Sequence, residues 1–223
     1  MKQSLFVNAL LKYSIGVVVV GLLIFLPAGT LHFEGGILLM AILFVPMFLA
    51  GIVLLKKDPD LLRKRLDVKE KQKEQKDVVK YSGLLFLASF ILSGLSFRFG
   101  WLQLPGTVRI VAAILFLVAY ALYGEVLREN TFLSRTIEVQ EGQHVIDTGM
   151  YGIVRHPMYA VTILLFLMMP LVLGSVLGFA VMLLYLPIIQ KRMINEEIVL
   201  KEGLPGYTEY MNKVRYRVIP YIW

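Results

Sequence analysis

The sequence predicts an all-α fold, a polytopic transmembrane helical bundle closed by a C-terminal helical hairpin. Three observations lead there. Of the 223 residues, 57% are hydrophobic and only 17% charged, with a mean hydropathy of +0.70, far more apolar than a soluble domain. The apolar residues gather in runs of about 20, the length needed to cross the hydrocarbon core of a bilayer. The basic residues concentrate in alternate connections, as the positive-inside rule requires of a membrane chain.

Four runs are clear: Tyr13 to Leu31, Ile37 to Leu55, Tyr81 to Phe97 and Thr107 to Leu127. The first is as long as a spanning helix and lacks a small-residue cleavage site, so it is expected to be retained. Between the second and third, KKDPDLLRKRLDVKEKQKEQKD mixes both signs of charge, with Glu70 and Lys73, or Glu74 and Lys76, near helical spacing. It reads as an exposed amphipathic helix near anionic headgroups, with a partner-binding arm as the alternative. Beyond Pro157 an apolar stretch reaches Ile189 and is broken at Gly174 and Ser175. It reads as two helices of roughly 16 residues, each about 24 Å long at 1.5 Å per residue. Such a hairpin is short for a bilayer and is expected to be tilted, recessed or buried.

Orientation follows from charge. Lys2, Lys12, the Lys56 to Lys80 loop, the Arg128 to Arg155 loop and the tail from Lys191 fall on one side if each apolar pair is a hairpin. That side is expected to be cytoplasmic, and the opposite connections, at His32 to Gly36, Arg98 to Gly106 and Gly174, are short and carry few positive charges. The reading is therefore six membrane segments with both termini cytoplasmic, in a cell inner membrane. The net charge of +7 is assigned to this asymmetry and to contact with membrane lipids, with no nucleic-acid partner. Without cysteine the chain has no disulfide, thiolate metal site or thiol nucleophile; no metal site is expected. One domain, residues 1–223, accounts for the whole: four helices over 1–127 and a C-terminal core over 128–223.

The polar chemistry flanks the hairpin. Before it stands RENTFLSRTIEVQEGQHVIDTGMYGIVRHPMY, in which Thr136 to Val139 and His144 to Ile146 have the β-branched content of short extended segments, and Gly149 marks a turn. Arg155, His156, Pro157, Met158 and Tyr159 sit where the next helix begins. Proline suits a first helical turn, and the free amides there favour an anionic group; the plainer reading is a capped helix with interfacial anchors. After the hairpin stands KRMINEEIVLKEGLPGYTEYMNKVRYRVIPYIW. Met193, Glu197 and Leu200 share one helical face, while Arg192 and Glu196 are an i, i+4 pair on another. This is either a surface ion pair or an acid and a guanidinium presented to a ligand ammonium and carboxylate.

RHPMY, an apolar hairpin, NEEIVL, GYTEY and RVIP, in that order, resemble the isoprenylcysteine carboxyl methyltransferase and phospholipid methyltransferase superfamily of integral membrane methyltransferases. The resemblance runs from Asn130 to Pro220. It implies a cytoplasmic cofactor pocket for S-adenosyl-L-methionine walled by His144, Val145, Gly149, Tyr151, Arg155, His156, Pro157 and Tyr159, closed by Glu196 and Glu197. It implies Arg192 as the catalytic arginine that orients a substrate carboxylate, and a lipophilic substrate drawn from the bilayer as partner. Where many relatives read Gly-Pro-Tyr-Arg this chain has Gly149, Met150, Tyr151 and Gly152, so one basic contact is missing. The family histidine aligns with either Gln143 or His144. Methyl transfer from a sulfonium is an in-line displacement in which alignment and exclusion of water dominate. A carboxylate acceptor needs no base at neutral pH, whereas an amine acceptor needs one, for which Glu196, Glu197 and His156 are candidates. The implied activity is carboxyl O-methylation of an isoprenylcysteine-like molecule; alternatives are a phospholipid, small-amine or thiol methyltransferase, a sterol-reductase-like enzyme, or a transporter or sensor.

Overall fold

The computed structural model describes residues 2–66, 73–133 and 137–223, with the side chains of 2, 3 and 73–75 left aside. Its helices follow the apolar runs and overshoot them. Helix α1 covers Lys2–Ala28 and α2 covers Glu34–Lys57. The short α3, Pro59–Leu66, precedes α4, Lys73–Phe99, and α5, Gly106–Glu129. A 3-10 turn at Gly149–Gly152 leads to α6, Pro157–Val172. Helices α7, Val176–Leu183, and α8, Tyr185–Gly203, follow, and α9 covers Tyr207–Lys213. Among the described residues, five helical stretches are long and apolar enough to cross a membrane, α7 and α8 counting as one stretch from Val176 to Gly203, and α6 is a sixth, shorter apolar helix. Large apolar side chains such as Val18, Leu22, Leu26, Ile110 and Ile114 point outward, as a lipid-facing surface requires.

The hairpin forms as expected at its turn, where Gly174 adopts φ +77°. Its second arm differs from the expectation of a helix ending near Ile189: after a break at Leu184, α8 runs on through the charged residues to Gly203. Lys191, Arg192, Glu196 and Glu197 are all good helix residues when their polar ends can reach solvent or partners, so the loss of hydrophobicity ends the apolar stretch without ending the helix. The amphipathic segment after α2 is only partly exposed. In α3, Leu61 and Leu62 are buried while Arg63 pairs with Asp60 on the outer face. The expected pairing of Glu70 with Lys73 lies outside the described residues, as does Thr136. The β-branched segments around Val139 and Val145 form no strand among the described residues; their side chains pack against Leu204 and Tyr207 instead.

Helix packing rests on small residues. Helix α4 contacts α1 on one side and α7 and α8 on another, and α5 packs on α6 and α2. A Cβ on Gly94 would stand 2.6 Å from the Ile24 carbonyl oxygen and 3.0 Å from the Ala28 nitrogen, so α1 and α4 approach at backbone distance. On the other side, Ser89, Ser93 and Ser96 of α4 are fully buried. The Ser89 hydroxyl donates to the Gly178 carbonyl at 3.0 Å, and Ser175 donates to Ser96 at 3.1 Å. Small residues that let helices close in, with hydroxyls bonded across the seam, replace the hydrophobic driving force that lipid does not supply. Away from α8's polar end, Leu104 N donates to the Gly174 carbonyl at 2.9 Å, tying the α4–α5 connection to the hairpin turn. The largest core surrounds Ile24, Phe33, Leu39, Phe116, Val172 and Leu173.

Candidate functional site

The polar residues at the start of α6 are assembled by the C-terminal tail. The backbone amides of Arg155 and His156 donate to the carbonyls of Tyr216 and Arg217 at 2.9 and 2.8 Å. The Arg155 guanidinium adds bonds from Nη1 to the carbonyls of Val214 and Arg215, at 2.8 and 2.7 Å. His156 is the N-cap of α6 and uses no side-chain capping bond. Pro157 occupies the first turn, where its missing N–H removes one donor that would otherwise need a partner. The imidazole is thus left for other work.

That work centres on Glu197, only 3% exposed. Its Oε1 accepts from Arg155 Nε at 2.8 Å and lies 3.2 Å from His156 Nε2. Its Oε2 accepts from Arg217 Nη2 at 2.9 Å. A buried carboxylate is tolerable only with such pairing, and here one acid joins the loop before α6, the middle of α8 and the tail. Glu196, one position earlier, faces another way: Tyr159 donates its hydroxyl to Glu196 Oε2, and Arg192 Nε donates to the Tyr159 oxygen at 3.1 Å. The expected i, i+4 pair therefore has a tyrosine from α6 within its hydrogen-bond chain.

A cavity of about 950 Å³ opens beside this chain, at the upper end of the usual size for small-molecule sites. Its polar wall includes Arg155, His156, Tyr159, Arg192, Glu196 and Tyr207, and its apolar part runs past Phe86, Phe116, Phe166 and Met169 toward Leu43 and Met47 of α2. His144, Val145 and Tyr151 also line it, with the His144 ring edge-on to Phe132 at 5.2 Å. Gln143, the other candidate for the histidine position, lines it too, while its side-chain oxygen accepts from Gln140 N at 2.8 Å. Gly149, Pro157 and Glu197 stand behind the lining. Gly149 has φ +52°, and a Cβ there would lie 3.1 Å from the Glu129 carboxyl carbon, so it shapes the turn against α5.

Sequence reasoning gave no site role to three neighbours: Arg217, which clamps Glu197, and Tyr207 and Tyr210 on α9. The GYTEY and RVIP elements contain all three, yet their offset from the hairpin says nothing of which acid they meet. Tyr210 donates to the Tyr151 carbonyl at 2.7 Å, fixing α9 to the 3-10 turn. Tyr207 is 4% exposed and its hydroxyl has no hydrogen-bond partner among the described residues. Burial, then the charges of Glu196 and Glu197, push this phenol far above its ordinary range, so it remains neutral on a residue that lines the cavity. No group of acids and histidines suited to a metal ion occurs among the described residues.

No curated protein matches the chain. Residues 106–204, from α5 through the loop and hairpin to the end of α8, match the family model described as phospholipid methyltransferase, and in this stretch the chain is similar to the integral membrane methyltransferases.

Proposed function

We propose that this protein transfers a methyl group from S-adenosyl-L-methionine to a lipophilic acceptor at the membrane surface. The observation that carries the reading is one continuous cavity with a polar wall on α6, α8 and α9 and an apolar part among α2, α4, α5 and α6. Two ligands of opposite character can meet there. The residues fit the donor: Glu196 offers an acid for its ammonium, and the orphaned Tyr207 hydroxyl offers a buried donor that costs stability until a ligand accepts from it. His144, Val145, Tyr151, Arg155, His156 and Tyr159 complete the proposed wall. Gly149, Pro157 and Glu197 support it from behind.

When bound, the donor supplies an electrophilic methyl on a sulfonium that is its own leaving group. The protein's task is alignment and exclusion of water. Tyr159 holds Glu196 and Arg192 in one hydrogen-bonded chain; an acceptor carboxylate placed by Arg192 is already ionised at neutral pH and needs no proton removed. This is the reading for an isoprenylcysteine-like carboxylate. A phospholipid or other amine is the second reading, supported by the family match and by Glu196 in the cavity, positioned to take a proton.

The test has two arms. In detergent, S-adenosylhomocysteine should raise the melting temperature where NADPH does not, by the amount that binding linkage gives, about 2.7 kcal/mol at a hundredfold excess over Kd. Membranes given methyl-labelled donor should yield either base-labile esters, for a carboxylate acceptor, or stable methylamines or thioethers. Stabilisation by NADPH alone would overturn the methyl-transfer reading.

A further inference from the structure

The amphipathic segment after α2 delivers a cation into the cavity. In α3, Leu61 and Leu62 are buried and Arg63 bonds Asp60 at 3.0 Å on the outer face, which turns Arg65 toward the cavity wall. The Arg65 guanidinium lies 5.5 Å from the centre of the Tyr123 ring and donates from Nη2 to the Tyr123 hydroxyl. No carboxylate pairs with it among the described residues. Lys12 of α1 reaches the same place: its Nζ donates to the Leu66 carbonyl at 2.6 Å, at the end of α3, and it too lines the cavity. Two cations therefore stand at one part of a cavity whose other polar wall carries Glu196.

The separation is informative. Burial holds the Tyr151 hydroxyl well above its ordinary value, while Glu196 and Arg65 act on it with opposite sign, so this phenol lies within electrostatic reach of both. Arg65 and Lys12 precede residue 106, outside the stretch that matches the family model. The proposed donor wall belongs to that stretch except for Tyr207, just beyond its end; the two cations belong to this chain's N-terminal part. A guanidinium over an aromatic face keeps several donors in a planar fork, a geometry suited to phosphate or carboxylate oxygens.

We propose that Arg65, assisted by Lys12, receives an oxyanion in the headgroup of the amphiphilic acceptor, a group distinct from the nucleophile that is methylated. This rests on the methyl-transfer reading and narrows its acceptor. The molecule has a hydrocarbon chain for the apolar part of the cavity, an anionic group held at α3, and a reacting group that reaches Arg192 and Glu196. Arg65 is on this account a specificity-determining residue.

The experiment measures binding apart from turnover. Radiolabelled hexadecyl phosphate is titrated against the purified protein in nonionic detergent, for wild type, Arg65→Gln, Arg65→Lys and Arg63→Gln. Saturable binding is expected in wild type and in Arg63→Gln, whose charge lies on the outer face of the same helix. Arg65→Gln should weaken it at least tenfold and Arg65→Lys by less, while S-adenosylhomocysteine affinity stays level in all four, which also reports folding. Inorganic phosphate should fail to compete at millimolar concentration, since it lacks the chain; competition would assign the site to free phosphate and overturn the acceptor role. Equal binding by Arg65→Gln and wild type, or equal weakening by Arg63→Gln, would overturn the proposal. Loss of S-adenosylhomocysteine binding in every form, with hexadecyl phosphate binding intact, would sink the methyl-transfer reading and leave the anion site standing.

Discussion

At the scale of single residues, adjacent glutamates have unlike surroundings. Glu197 is enclosed by Arg155, His156 and Arg217, whereas Glu196 lines the cavity beside Tyr159. Glu197→Ala should lower stability by about 3–5 kcal/mol, because Arg155, 7% exposed at its side chain, would keep its charge without its carboxylate; the melting temperature reports it. Tyr207→Phe should act with opposite signs on two measurements. It deletes an unsatisfied buried hydroxyl, so the ligand-free protein should be no less stable, while donor affinity falls by about 1 kcal/mol if that hydroxyl bonds the ligand. Calorimetry with S-adenosylhomocysteine separates the two. Arg192→Lys keeps the charge and loses the fork, so turnover should fall steeply with donor Kd nearly unchanged; near-normal turnover would reduce Arg192 to an interfacial anchor. The pair of acids was legible in the sequence, as was the shared face of Arg192 and Glu196. Which acid lines the cavity was not, since that depends on a tail whose arginine meets α8 from 20 residues further along the chain.

At the scale of elements, hydropathy located every long helix but not the reasons they pack. The stripe Ser89, Ser93 and Ser96 interrupts an apolar run and reads as mild polarity, yet these residues are fully buried, Ser89 and Ser96 bonded to the hairpin and Ser93 to the Ser89 carbonyl of its own helix. Hydropathy averages side chains over a window, while close packing depends on which small residues share one face. The same limit explains α8, whose helical continuation past Ile189 is set by partners on other elements. Helix α9 is held from two directions, by Tyr210 on the Tyr151 carbonyl and by Lys213, whose Nζ donates to Asp147 Oδ2 at 2.6 Å. That hydrogen bond and the lysine charge hold the Asp147 carboxyl below its ordinary value of 3.8. Because the folded value is the lower one, the contribution is present above the ordinary value and is lost as pH falls through the folded one. Comparing melting temperatures of wild type and Asp147→Asn should show a gap at neutral pH that closes in strong acid; a gap that widens on acidification would contradict the assignment.

At the scale of the whole molecule, the number and order of apolar helices were readable because bilayer thickness dictates length and composition together. The cavity was not, because it is built from residues as distant as Lys12 and Tyr207. The natural absence of cysteine allows a direct check of the proposed orientation. Lys57→Cys should react with an impermeant thiol reagent from the cytoplasmic side and Leu31→Cys from the opposite side; labelling of both from one side would reject the six-segment topology. The attachment of Arg155 and His156 to residues 214–217 also sets an order of events during biosynthesis. The helices through α8 can enter the bilayer as they leave the ribosome, but Glu197 and Arg155 have no complete set of partners until Arg217 has emerged. Until then the two meet in a half-formed arrangement, with the start of α6 lacking the carbonyls that receive its amides. A chain inserted as it is made thus passes through a stage in which the helices through α8 are present and the polar wall of the cavity is incomplete, and residues 214–217 act as the latch that completes it.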